Sequence, residues 1–339
     1  MTSSKIQIHT VGVFIPTSGV AGIWGPSCRA SAELAGAEMN DRYSCNRQFR
    51  LRFVDAGGNP DTVARTATRL IAAGAIDSIV GMHTSDVRDT VVAAVAHRIP
   101  YIYTPLHEGL VADGAHCIGA TPDRQLLPAL DWMGSRYRLR RWYFVGNDYV
   151  WPRVTHALAA RALKQRGHHV IGNDFVGFTP SATDDNRFDR TLDRIKERRP
   201  DIVLLSLIGQ DSVLFNRGFN AAGLSQRILR LSCAIEENML LAMGSEATNG
   251  LFVSAGYFEA LDTRRNGAFR ERYHGRFGER APVLNNLGQS IYEGMGRLAT
   301  HITGQDRMGV RAEAGSSTLP IYLAETHGLD FCIVQKLAR

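Results

Sequence analysis

Asp77-Ser78-Ile79-Val80-Gly81-Met82-His83-Thr84-Ser85-Asp86, followed after a helix-length segment by Tyr101-Ile102-Tyr103-Thr104-Pro105-Leu106-His107-Glu108-Gly109, decides the fold of this chain. An apolar strand, a polar run at a helix start, and a second short apolar strand form one strand-helix-strand unit. Parallel neighbours of this kind bring a hydroxyl and an aromatic to their carboxyl ends, where open α/β sheets hold their ligands.

The same rhythm extends in both directions. Strand patterns cover residues 6–15, 49–54, 78–80 and 101–103, separated by helical patterns near 27–41, 60–73 and 86–97. Pro26 and Pro60 suit a first helical turn, and Asn59-Pro60 marks a start. After a short strand at 117–119 and the break Thr121-Pro122-Asp123, a second unit begins: helix 124–135, strand 142–145, helix 152–166, strand 170–176, helix 186–197, strand 202–207, helix 212–221, strand 228–231 and a helix around 236–243. A strand at 251–254, helices at 264–277 and 287–303, and strands at 321–324 and 331–337 complete the chain.

Two doubly wound, Rossmann-like α/β lobes follow, with linkers near 120–123, 255–259 and 305–319. The expected division is residues 1–121 plus 256–318 for one lobe and 122–255 plus 319–339 for the other. Three crossings between two lobes make a hinge, and a ligand touching both lobes sets the balance between open and closed.

Composition narrows the function. The 339 residues are 44% hydrophobic and 21% charged, as in a soluble globular protein. A net charge of +6 is spread as Arg among acidic residues, so no nucleic-acid footprint is expected. Arg136, Arg138, Arg140 and Arg141 form the densest cluster and read as solvated surface. The start Met1-Thr2-Ser3-Ser4-Lys5 has no export-signal pattern, and no apolar run of membrane length occurs, so a cytoplasmic location is expected, or a periplasmic one if a signal has been removed. Five scattered cysteines, Cys28, Cys45, Cys117, Cys233 and Cys332, suit neither a disulfide framework nor a zinc site.

Three runs carry a resemblance: Val80 to Ser85, Tyr103 to Gly109, and Val145-Gly146-Asn147-Asp148-Tyr149-Val150-Trp151-Pro152-Arg153. In order and spacing, over nearly the whole length, the chain resembles the type I periplasmic-binding-protein superfamily. It is most similar to the amide- and urea-binding branch, which holds amide-sensing regulators and urea receptors of ABC transporters. The resemblance implies ligand contacts from Ser85, Tyr103, Pro105, Tyr149, Trp151 and Glu236, with His107 and Cys233 at positions where the branch carries a Tyr and a small hydroxyl residue. Thr104 stands where the branch has Pro.

The residues support such a pocket by themselves. A buried polar group left unpaired costs about 1–3 kcal/mol, so a dry pocket must match each donor and acceptor of its ligand. Ser85, Tyr103 and Tyr149 offer hydroxyls that donate and accept, and Tyr149 with Trp151 closes the apolar side. Glu236 would accept from an amide or ammonium group. Each has an ordinary alternative: Ser85 as a helix N-cap, the aromatics as core, His107 as scaffold, Cys233 as a small buried hydrophobe, Glu236 beside a helix dipole.

Enzymatic readings find little support. The string Gly294-Met295-Gly296-Arg297-Leu298-Ala299 lies in a helical pattern with no strand before it, so it reads as helix packing. Phosphate-loop, nucleophile-elbow and metal-ligand spacings do not occur.

The expectation is a hinge-closing binding protein, neither an enzyme nor cofactor-dependent, for a short-chain amide, urea or relative. It would serve as a cytosolic sensor read by a regulatory protein partner. The alternatives are a receptor delivering amides, urea or branched-chain amino acids to an ABC transporter permease, and a small-molecule hydrolase. A homodimer is left open.

Overall fold

The computed structural model describes residues 6–43, 47–109, 114–178, 186–304 and 320–338. Cys45 and the expected linker at 305–319, with its lobe boundary at 318/319, lie outside the described residues.

The first sheet has the strand order β2-β1-β3-β4-β5, all parallel, with β1 Gln7–Ile15, β2 Arg47–Asp55, β3 Ser78–Gly81, β4 Tyr101–Tyr103 and β5 His116–Cys117. Helices α1 Gly25–Tyr43, α2 Pro60–Ala72 and α3 Ser85–Val95 connect its strands. Strand β1 can sit at the centre because Val11 to Ile15 are buried without interruption, as a strand covered on both faces requires. Asn59 accepts hydrogen bonds from the N–H groups of Asp61 at 3.0 Å and Thr62 at 3.3 Å, so α2 starts where Asn59-Pro60 predicts.

Chain then passes to the second sheet. Gly119 runs so close to Pro105 that a Cβ there would lie 1.9 Å from the Pro105 carbonyl oxygen. That close passage ends β5 at Cys117, two residues short of the expected strand. The single helix expected at 124–135 is divided into α4 Pro122–Gln125 and α5 Leu127–Arg136, since Pro128 has no N–H to give to the preceding turn.

Helices α6 Val150–Gln165, α7 Asp189–Arg198, α8 Gly209–Ala221 and α9 Glu237–Met243 alternate with β6 Arg141–Asn147, β7 His169–Val176, β8 Ile202–Ser206, β9 Leu229–Ser232 and β10 Leu251–Ala255. The five strands stand in the order β10-β9-β8-β6-β7, repeating the winding of the first sheet, and β11 Ile321–His327 and β12 Asp330–Ala338 add an antiparallel pair beside β10.

Helices α10 Arg264–Phe277 and α11 Asn286–Thr303 follow β10 but pack on α1, so the chain returns to the first sheet before β11. Gly294 and Gly296 fall inside α11, which lies against β3 and β4. The result is an α/β fold of two lobes, each built on one mostly parallel sheet.

Candidate functional site

Doubly wound sheets bind ligands outside the strand ends, at the switch point between the two central strands. In the first lobe that point lies between β1 and β3, and in the second between β6 and β8. The loops from all four strands meet in one cleft, lined by Trp24, Met82, His83, Thr84 and Ser85, by Tyr149 and Trp151, and by Ile208, with Tyr103, Pro105, Leu106, Ala234 and Leu287 from neighbouring elements. The cavity left between them is small, about 30 Å³, so the two lobes must part to admit an organic ligand.

The lobes already touch around this space. Gln210 N–H donates to the Val20 carbonyl at 2.9 Å, Asn238 Nδ2 to the Ile23 carbonyl at 2.8 Å, and Asn285 Nδ2 to Asn238 Oδ1 at 3.2 Å. Gly209 has φ +48°, and a Cβ on it would stand 1.9 Å from the Val20 oxygen. So close an approach requires glycine there.

Five of the eight expected residues line the cleft. Ser85 is the first residue of α3, whose N-cap is Thr84, and the Thr84 side chain makes no capping bond. Tyr103 is fully buried at the end of β4, donates its hydroxyl to the His83 carbonyl at 2.7 Å, and is in hydrogen-bonding contact with Ser85. Pro105 forms a wall. Tyr149 packs at a tilt against Phe178 and Trp151, with ring centroids 5.2 and 6.4 Å apart. Trp151 is buried, and its indole N–H has no partner among the described residues.

The other three stand behind the wall. His107 accepts from Gly109 N–H at 3.2 Å and braces its own loop. Cys233 turns away from the cleft and Ala234 lines it instead. The Cys233 carbonyl accepts from Gln125 Nε2 at 3.1 Å, and burial pushes its thiol up to about 12. Glu236 accepts from Asn286 N–H at 2.8 Å, joining the second lobe to the start of α11. Its carboxyl is held well above the usual range by burial and by neighbouring Glu237.

Reasoning from sequence missed Trp24, on a 3-10 turn after β1, whose indole N–H is also buried and unpartnered. Its position past a central strand was the available signal. It missed His83 too, which hydrogen-bonds to the Tyr101 hydroxyl at 3.0 Å and is pushed down to about 4 by burial, so the imidazole is neutral at ordinary pH.

Behind Tyr103, Arg88 donates to Glu108 at 2.7 Å and to Asp89 at 2.8 Å, and its guanidinium lies 5.2 Å from the Tyr103 ring. Among the described residues no group of three or more metal-binding side chains occurs, and no helix is long and apolar enough to cross a membrane.

The sequence profile described as periplasmic binding protein matches residues 9–303. The chain belongs to the periplasmic binding protein family. Solved members share its fold. A solute-binding protein of an ABC transporter from R. palustris, in complex with benzoate, matches with a TM-score of 0.82 at 16% identity, covering 97% of this chain and 96% of that one. A branched-chain amino acid transporter substrate-binding protein from Streptococcus pneumoniae, in complex with isoleucine, matches with a TM-score of 0.81 at 12% identity, covering 96% of this chain and 100% of that one. At these identities the likeness establishes the architecture of this periplasmic binding protein, and its ligand must be argued from its own residues.

One pH dependence follows from the lobe contacts. Burial pushes the Glu237 carboxyl up to about 8 from 4.5, and Glu236 is raised for the same reason. Between these values the folded state holds protons that the unfolded chain has released, so stability falls as pH rises. His83 and His156, both depressed to about 4 from 6.5, act in the opposite sense, but only below 6.5. The melting temperature should therefore fall from pH 6.5 to 8, and Glu237→Gln should flatten that decline. A variant with the parental slope would rule Glu237 out as its source.

Proposed function

We propose that this periplasmic binding protein closes its lobes on a small organic molecule with one carboxylate and an apolar, ring-sized body, and presents it to a membrane permease. One observation carries the reading. Trp24 in the first lobe and Trp151 in the second both line the cleft, and both keep a buried N–H without an acceptor among the described residues. Each such group costs about 1–3 kcal/mol until it is paired.

A carboxylate has acceptors enough for both indoles. The start of α3, uncapped by any side chain, adds free backbone N–H groups and the positive end of a helix dipole. Met82, Ile208, Leu287 and the aromatic rings would surround the apolar body. Delivery to a permease is favoured over a regulatory partner because the solved neighbours serve ABC transporters, including those holding benzoate and isoleucine. Binding without turnover fits Cys233, whose raised thiol pKa leaves it a poor nucleophile.

An amide or urea is the second reading, favoured by the hydroxyls of Ser85, Tyr103 and Tyr149 around the cleft. Its carbonyl would satisfy the indoles, but its N–H groups then need acceptors, and among the described residues no carboxylate lines the space.

Thermal-shift and calorimetric titrations with benzoate, isoleucine, acetamide and urea separate these readings. Benzoate should raise stability by about 2.7 kcal/mol at 100 times its Kd. Stabilisation by acetamide or urea with none from benzoate would overturn the carboxylate assignment.

A further inference from the structure

A second cavity lies behind the hinge, separated from the cleft by Pro105 and Leu106, which line both. It is the larger, with a cavity volume of about 320 Å³. Residues at two of the expected crossings border it, Gly119 and Ala120 on the first and Gly256 and Tyr257 on the second, together with Pro320 and Tyr322 at the start of β11. One face of α11 closes it, with Gln289, Glu293 and Arg297 spaced by about one helical turn.

Its lining is amphipathic. Leu106, Ile118, Phe269 and Tyr322 are apolar or aromatic, while among the described residues Arg265, Arg272 and Arg297 share the lining with one carboxylate, Glu293. Glu293 is engaged by Arg265 at 2.6 Å, and Arg272 is engaged by Glu38 at 2.8 Å. Arg297 has no hydrogen bond or ion pair among the described residues.

Two buried side chains in the lining also each carry one polar oxygen with no hydrogen-bond partner among the described residues. Tyr257 is 7% exposed and its hydroxyl is unpaired. Asn266 is 5% exposed; its Nδ2 donates to the carbonyls of Glu259 and Leu261, both at 2.8 Å, and its Oδ1 accepts nothing. A folded chain tolerates such orphans at a cost, and a bound molecule that answers them recovers it.

We infer that the hinge cavity is a second ligand site, for an amphipathic organic anion whose apolar body lies on the Phe269 and Tyr322 side and whose acidic group faces Arg297. An occupant touches residues of both lobes and of two connections between them. Its affinity therefore depends on the angle between them, and by reciprocity it alters the affinity of the cleft for its own ligand. The site does not rest on which molecule fills the cleft.

The probe is 8-anilino-1-naphthalenesulfonate, an aromatic anion whose fluorescence rises on binding, titrated into the full chain. One saturable site is expected, weakened at least tenfold by Arg297→Glu and changed less than twofold by Tyr149→Ala. Arg297→Glu should leave the cleft's response to the benzoate, isoleucine, acetamide and urea panel unaltered, which keeps the two assignments apart. Should Arg297→Glu lose its far-UV circular dichroism, Arg297→Gln decides: a threefold or greater loss supports the site and unchanged binding overturns it. Dye binding abolished by Tyr149→Ala but not by the Arg297 variants would place the dye in the cleft and overturn the inference. Absence of saturable fluorescence would overturn it as well.

Discussion

Tyr149→Ala is expected to weaken binding of the proposed carboxylate ligand about 30-fold, while the empty protein melts within a few degrees of the parent. Aromatic anchors at the centre of a desolvated contact contribute about 2 kcal/mol or more, and each 1.4 kcal/mol is about tenfold in Kd. Tyr149 sits just before α6, makes no capping bond, and packs only partly into its lobe, against Phe178 and Trp151. Losing the ring removes one side of the cleft and exposes the Trp151 indole to water, with little taken from either sheet. Calorimetric titration of the two proteins side by side measures the difference. Equal affinities would place the ligand outside this cleft.

A larger effect on stability is expected from Arg88→Met. The Arg88 and Glu108 side chains are 2% and 3% exposed, and the second Glu108 oxygen already lacks a partner. Removing the guanidinium leaves a buried carboxylate with nothing to balance it, a change that costs about 3–5 kcal/mol. The double replacement Arg88→Met with Glu108→Met should recover much of that loss, because two apolar side chains can occupy the space of a buried pair. Urea denaturation of the parent, the single variant and the double variant tests this. A single variant within 1 kcal/mol of the parent would mean that water reaches the pair. Since the guanidinium also lies against the Tyr103 ring, the single variant should bind ligand more weakly than the double variant's stability alone would suggest.

Much of the architecture could be read from residue pattern, because buried parallel strands and amphipathic helices have different periods. The run Val11 to Ile15 and the Asn59-Pro60 start illustrate this, and both lie where expected. Positions at strand ends were readable for the same reason: once β3, β4 and β6 are recognised, Ser85, Tyr103 and Tyr149 must emerge on one edge of their sheets. What pattern does not carry is the path of a loop. Cys233 and Ala234 are adjacent, yet one backbone step directs the first into the core and the second into the cleft. Glu236 is consumed by a contact from α11, fifty residues away in sequence, that no local rule announces. Trp24 follows Pro16 through a turn of irregular backbone with no period to betray its direction. The division into lobes at residues 121/122 and 255/256 remains an expectation, which the placement of α10 and α11 against α1 supports.

That placement has a consequence for biogenesis. Strands β6 to β10 and their helices occupy one unbroken stretch, whereas α1 must await α11, whose residues come more than two hundred positions later. During synthesis the half that starts first must therefore wait for a late helix pair, and the apolar flank of α1 stays bare until the ribosome has passed residue 303, with only the antiparallel pair β11–β12 of the second sheet still to come. A truncation that removes α10 and α11 should yield an aggregating product, although every strand of the first sheet would still be present.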